Sequence, residues 1–142
     1  MGIRRISRET TLQFLYQEDF TITADQSFGY DLEERFDLFC NLFQVNKKAR
    51  SYALTLLKGI SSSLTEIDAE ITKAAAHWRL PRIAATDRNL LRIAVYEIVY
   101  CDNVPPQVAI NEVVEIAKKF AGEESPKFIN GVLDAVLTAQ KQ

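Results

Sequence analysis

Histidine is almost missing from this chain: His77 stands alone, and no serine or cysteine occupies a recognised motif that would pair with it as nucleophile and base. It reads as a surface or packing residue. The two cysteines, Cys40 and Cys101, lie in apolar helical contexts without CxxC spacing or a histidine cluster. They read as buried free thiols suited to a reducing cytosol, not as a zinc or redox motif. There is no glycine-rich phosphate loop, no HExxH and no EF-hand pattern. Glu97, Glu112 and Glu115 lack the Glu-x-x-His pairs of a di-iron bundle and read as helix-surface acids. No apolar run is long enough to span a bilayer, and the arginines at the start are not followed by a signal-peptide core. The expectation is a cytoplasmic protein, off the membrane, with no catalytic residue, metal site or cofactor.

What is present is a helical pattern. At 142 residues and 47% hydrophobic, the chain has enough length for one domain over 1–142, burying roughly two thirds of its unfolded surface. The stretch from Val104 to Leu137 writes out two helices with their punctuation. Ile110, Val113, Val114, Ala117 and Ala121 recur at the three-four spacing of one helix face. Lys118 and Lys119 suit a carbonyl end, Gly122 suits a left-handed stop, Ser125 an N-cap and Pro126 the first helical position. Phe128, Ile129, Val132, Leu133 and Val136 carry the next stripe.

Upstream, a first helix is predicted from near Ser7 to Phe20, with Leu12, Leu15, Tyr16 and Asp19 or Phe20 on one face. Residues 21–30 read as a polar connection. A second helix opens on Asp31, Glu33 and Glu34 and runs through Phe43. Asn46 caps a third, with Tyr52, Leu56 and Ile60 as its stripe, and a fourth runs from Leu64 to about Ala76. Pro81 blocks continuation at Leu80, and Trp78 is expected to plug the junction between the two halves of the bundle. Thr86 is a candidate cap for a helix apolar almost all round from Leu90 to Val99, hence central. No segment alternates with a two-residue period. The fold class is all-α, about seven helices.

Charge is uneven. Arg4, Arg5 and Arg8 precede any acid, whereas the stretch from Glu18 to Asp37 holds seven acids against Arg35. Arginines at a helix amino end oppose the helix dipole, so something outside the helix is the better explanation for them. Forked guanidinium donors suit phosphates, and Tyr16 offers a ring for an unstacked base, which together suit single-stranded RNA. A solvated arm and a core tyrosine remain open for these residues. Lys118, Lys119 and Lys127 either extend the basic surface or serve helix ends.

The motifs RRISRETTLQFLYQ, TDRNLLRIAVYEIVY and VPPQVAINEVVEIAKKFAGEESPKFINGVLD occur in an order that resembles the bacterial NusB antitermination factors over nearly the whole chain. The resemblance implies a compact bundle in two perpendicular helical subdomains. It also implies binding, not catalysis: recognition of boxA RNA in ribosomal RNA leader transcripts together with NusE, a small-subunit ribosomal protein, in the transcription elongation complex. By the same resemblance, Arg4, Arg5, Arg8, Gln13, Tyr16, Lys127 and Asn130 are RNA-binding candidates, with Phe128 packing beside them; Lys119 joins them from the basic-surface reading. Asp87, Arg88 and Glu97 are candidates for the protein-partner surface. Members occur as monomers or homodimers, and a dimer would cover the arginines.

Two departures bear on affinity. Ile6 interrupts what is a longer basic run in some members, and Glu124 adds an acid near the last helix. Both point to reliance on the protein partner. Two other readings stand beside this one: a helical adaptor that binds proteins alone, and the NusB-like module of a ribosomal RNA cytosine methyltransferase. A chain ending at Gln142 is expected to leave no room for the methyltransferase's cofactor domain.

Overall fold

The computed structural model describes residues 2–21 and 31–141. Among them all regular structure is helical: α1 (Ile3–Thr21), α2 (Leu32–Leu42), α3 (Lys47–Ser62), α4 (Leu64–Ala74), α5 (Ala85–Tyr100), α6 (Pro106–Phe120) and α7 (Ser125–Gln140), with a 3-10 turn at Leu80–Arg82. The all-α expectation of about seven helices holds. The chain divides into two compact units, Met1–Ser62 and Ser63–Gln142. Of the polar connection expected over 21–30, Thr21 belongs to α1 instead, and 22–30 lie outside the described residues.

In the first unit α3 packs on α1 and α2. Helix α1 begins four residues before the predicted start at Ser7, because Ser7 is an interior residue. Its hydroxyl lies 3.0 Å from the Ile3 carbonyl and 2.8 Å from the Ala49 carbonyl of α3. The Thr10 and Thr11 hydroxyls likewise donate to the carbonyls of Ile6 and Ser7, so a polar helix face can be buried without orphaned donors. Phe14, which the predicted stripe omits, is the buried anchor, edge-on to both Phe36 and Phe39 at 5.4 Å. Buried Glu18 pairs with Arg35 of α2.

The end of α2 is closed by a left-handed Gln44 (φ 53°), with the Val45 amide donating to the Cys40 carbonyl. Arg50 of α3 then clamps the same end, its Nε on the Val45 carbonyl (3.0 Å), Nη2 on the Cys40 carbonyl (3.2 Å) and Nη1 on Asn41 Oδ1 (2.9 Å). A cation is favoured at that carbonyl-rich end. Asn46 caps α3 as predicted, accepting from the Lys48 amide at 2.9 Å.

In the second unit α5 packs on α4, α6 and α7, in keeping with its nearly all-round apolar sequence. Leu90, Leu91, Ile93, Ala94 and Val95 are fully enclosed. Arg92 forks onto Asp68 of α4, with Nε–Oδ1 2.9 Å and Nη2–Oδ2 3.0 Å. Ala109 and Ala117 are also fully enclosed on α6, where small side chains permit close helix approach.

Three predicted signals are corrected. Helix α5 starts at Ala85, so Thr86 lies inside its first turn and the position before it is Ala84. Gly122 has no positive φ; α6 ends instead with Ala121 extended (φ −116°, ψ 179°). Ser125 does not cap α7, because its hydroxyl donates to Asp87 Oδ2 of α5 at 3.1 Å. A tertiary acceptor has outcompeted the local amides.

Candidate functional site

Helical geometry, at 100° per residue, separates the three arginines of α1. Arg4 and Arg8, one turn apart, turn toward Tyr52 of α3, their guanidinium carbons 3.8 and 5.8 Å from the ring centroid. Arg4 is exposed, but Arg8 is only 3% exposed. Its sequence-based role as a phosphate contact is therefore corrected to a buried residue that sets the position of α1 beside Tyr52. Arg5, half-buried, lies on a different stripe with Gln13, Tyr16 and Phe20.

That stripe is buried at Glu9 and opens to solvent from Gln13 onward. Gln13 is exposed, Tyr16 is 46% and Phe20 70% exposed, and the two rings sit 5.0 Å apart. The core-tyrosine alternative for Tyr16 is thereby excluded. Phe20, considered for the inner face from sequence, belongs to the site. Its signal was the i, i+4 spacing from Tyr16, which brings two aromatics together on one helix face. Two exposed rings and an arginine on one ridge can hold unstacked bases and a phosphate.

A second charged patch lies in the other unit, around the end of α6 and the start of α7. Lys119 Nζ is 5.0 Å from the Phe120 ring; Lys118 pairs with Glu115. Lys127 is exposed. Asn130 is half-buried and donates from Nδ2 to Asp134 Oδ2 at 3.2 Å. Phe128 packs edge-on to Trp78 at 6.1 Å. The expectation of Trp78 as an interior plug is overturned: it is 56% exposed.

The residues assigned to a protein partner separate by burial. Asp87 is 9% exposed; burial pushes its carboxyl above the usual carboxylate range, with the Ser125 hydroxyl opposing the shift. Its Oδ1 has no hydrogen-bond partner. Arg88 is half-buried and donates from Nη1 to the Ile83 carbonyl at 3.3 Å. Glu97 is fully enclosed and engaged within the fold. Both surface readings of Glu97 are therefore corrected, because α5 is surrounded by neighbours at that level.

The model of the NusB family matches residues 5–138. The chain belongs to the NusB family. It is 59% identical over 138 residues to the transcription antitermination protein NusB of Desulfotalea psychrophila, covering 97% of each chain. The Geobacter sulfurreducens NusB is 38% identical over 137 residues, 96% of this chain and 94% of that one. Among solved structures, T. maritima NusB superposes with a TM-score of 0.81 at 35% identity, covering 95% of this chain and 90% of that one. The antitermination factor NusB from a complex of NusB and NusE with dsRNA gives 0.81 at 29% identity and 98% coverage of each. As a NusB protein the chain is not an enzyme. Among the described residues no group of His, Cys, Asp and Glu is placed to hold a metal, and no helix is long and apolar enough to cross a membrane.

Proposed function

We propose that this NusB protein is a cytoplasmic, RNA-binding transcription antitermination factor that recognises boxA RNA of ribosomal RNA leader transcripts together with a NusE-type ribosomal protein, within the elongation complex. The observation that carries the reading is the outer ridge of α1. Arg5, Gln13, Tyr16 and Phe20 share one face, with Phe20 largely and Tyr16 nearly half open to solvent, in a protein whose structural relative was solved with NusE and RNA. An aromatic pair left exposed in a chain with an ample core needs a ligand to explain it.

In this reading Tyr16 and Phe20 stack bases, Gln13 reads a base edge, and Arg4 and Arg5 meet phosphates. Lys119, Lys127 and Asn130 supply contacts from the second patch. Asp87 and Arg88 face the protein partner, while Arg8 and Glu97 act from inside by holding α1 and α5. Few phosphate contacts imply modest affinity for RNA alone, with the remaining area coming from the partner.

The test is fluorescence anisotropy of a short labelled boxA-like RNA, against scrambled and duplex RNA, with and without the NusE-type protein. Tighter, sequence-dependent binding to the single strand in the presence of the partner is expected. Equal, salt-labile binding to every RNA would leave a helical adaptor with a basic end.

A further inference from the structure

Trp78 is the only tryptophan in the chain, and more than half of it faces solvent. The segment that bears it, HWRLPR, sets exposed His77 and Arg82 in the grooves beside the indole. No role assigned above uses it. Its perpendicular contact with Phe128 (interplanar 80°) fixes the attitude of the ring and covers at most one face. Beside the ring opens a groove of about 460 Å³ between the end of α4 and α7, walled by Ala75, Trp78 and Gly131, with His77, Lys127 and Glu124 at its polar edge.

These are the requirements of an unpaired base: a π-face, a shallow apolar wall, a lysine and an imidazole N–H for the flanking phosphates and an acceptor for an exocyclic amine. The charges also choose a side. On the other flank of the Trp78–Phe128 pair, a slot of about 230 Å³ carries Asp87 and Glu124 against Arg82, where two carboxylates disfavour a phosphate. The groove with His77 and Lys127 holds one carboxylate, Glu124, against a lysine and a histidine.

We infer that Trp78 is a stacking platform for one unpaired base of the bound RNA, with Lys127 and His77 meeting the phosphates on either side. The inference rests on the RNA-binding reading and adds a base-binding position to it.

Because Trp78 is the only indole, its emission reports directly on the groove. The intact protein, with the NusE-type partner, is titrated with the single-stranded boxA-like RNA. Emission is read against a Trp78→Phe background while anisotropy of the labelled RNA is followed in parallel. Saturable quenching at the RNA concentrations that saturate anisotropy is expected. Trp78→Ala should weaken binding by roughly 5- to 150-fold, the range for losing one stacked base, and Trp78→Phe should recover most of it. The thermal midpoint of the alanine variant should be unchanged, since the side chain is mostly exposed.

RNA bound with unchanged emission and unchanged affinity of Trp78→Ala would overturn the platform and leave the RNA-binding reading standing. Absence of RNA binding by either readout would overturn both. Quenching by the protein partner alone, with no further change on adding RNA, would make the groove a protein-docking site and equally overturn the inference.

Discussion

At the scale of single residues, burial sorts side chains that look equivalent in the sequence. Arg5 and Arg8 are three positions apart, yet one is on the outer ridge of α1 and the other is 3% exposed beside Tyr52. Arg5→Ala and Tyr16→Ala should therefore each lower RNA affinity, about 5- to 10-fold for loss of one stacking or charged contact of 1 kcal/mol or slightly more, with unchanged melting. Arg8→Ala should instead cost roughly 1–3 kcal/mol of stability, visible as a lower denaturation midpoint before any binding is measured.

Asp87 carries a pH signature. Its folded carboxyl titrates above its unfolded value because burial disfavours the charge. The folded state thus holds the proton more tightly, and this residue's contribution to stability is greatest below the unfolded carboxylate pKa and falls as pH rises through the raised folded value. Asp87→Asn, which keeps an acceptor for Ser125, should be more stable than the parent at neutral pH. The advantage should vanish in acid; an advantage that persisted there would assign the effect to packing instead.

At the scale of elements, most helix ends were legible because their chemistry is local. Asn46 is a cap within two residues of the amide it serves. Asn46→Ala should cost about 1 kcal/mol in denaturant unfolding. Two of the misread ends share a cause: the hydroxyls of Ser7 and Ser125 are each recruited by a residue distant in the chain, Ala49 in one case and Asp87 in the other. The close of α2 depends in the same way on Arg50 from the next helix. Replacing Arg50 by Met should lower stability through the uncapped carbonyls, with little effect on RNA affinity.

At the scale of the whole molecule, the proposed phosphate contacts, Arg4, Arg5, Lys119 and Lys127, set an upper bound on salt dependence. With about four phosphates neutralised on a single strand, the logarithm of affinity should fall against the logarithm of salt with a slope of about −3. Removing Lys127 should make that slope shallower by about 0.7. A slope near zero would place the binding in stacking and edge contacts alone; one much steeper would mean that other cations take part.

The chain by itself determined the all-helical class, nearly every helix and the family, because three-four apolar spacing, caps and ordered motifs are properties of neighbours in sequence. It also placed Gln13, Tyr16 and Lys127 among the candidates, although it left Tyr16 undecided between a core and a surface role. The tertiary structure alone decided which of them reach solvent. Exposure of Tyr16, Phe20 and Trp78 and enclosure of Arg8 and Glu97 follow from which helix faces meet, and helices brought together from distant parts of the chain settle that.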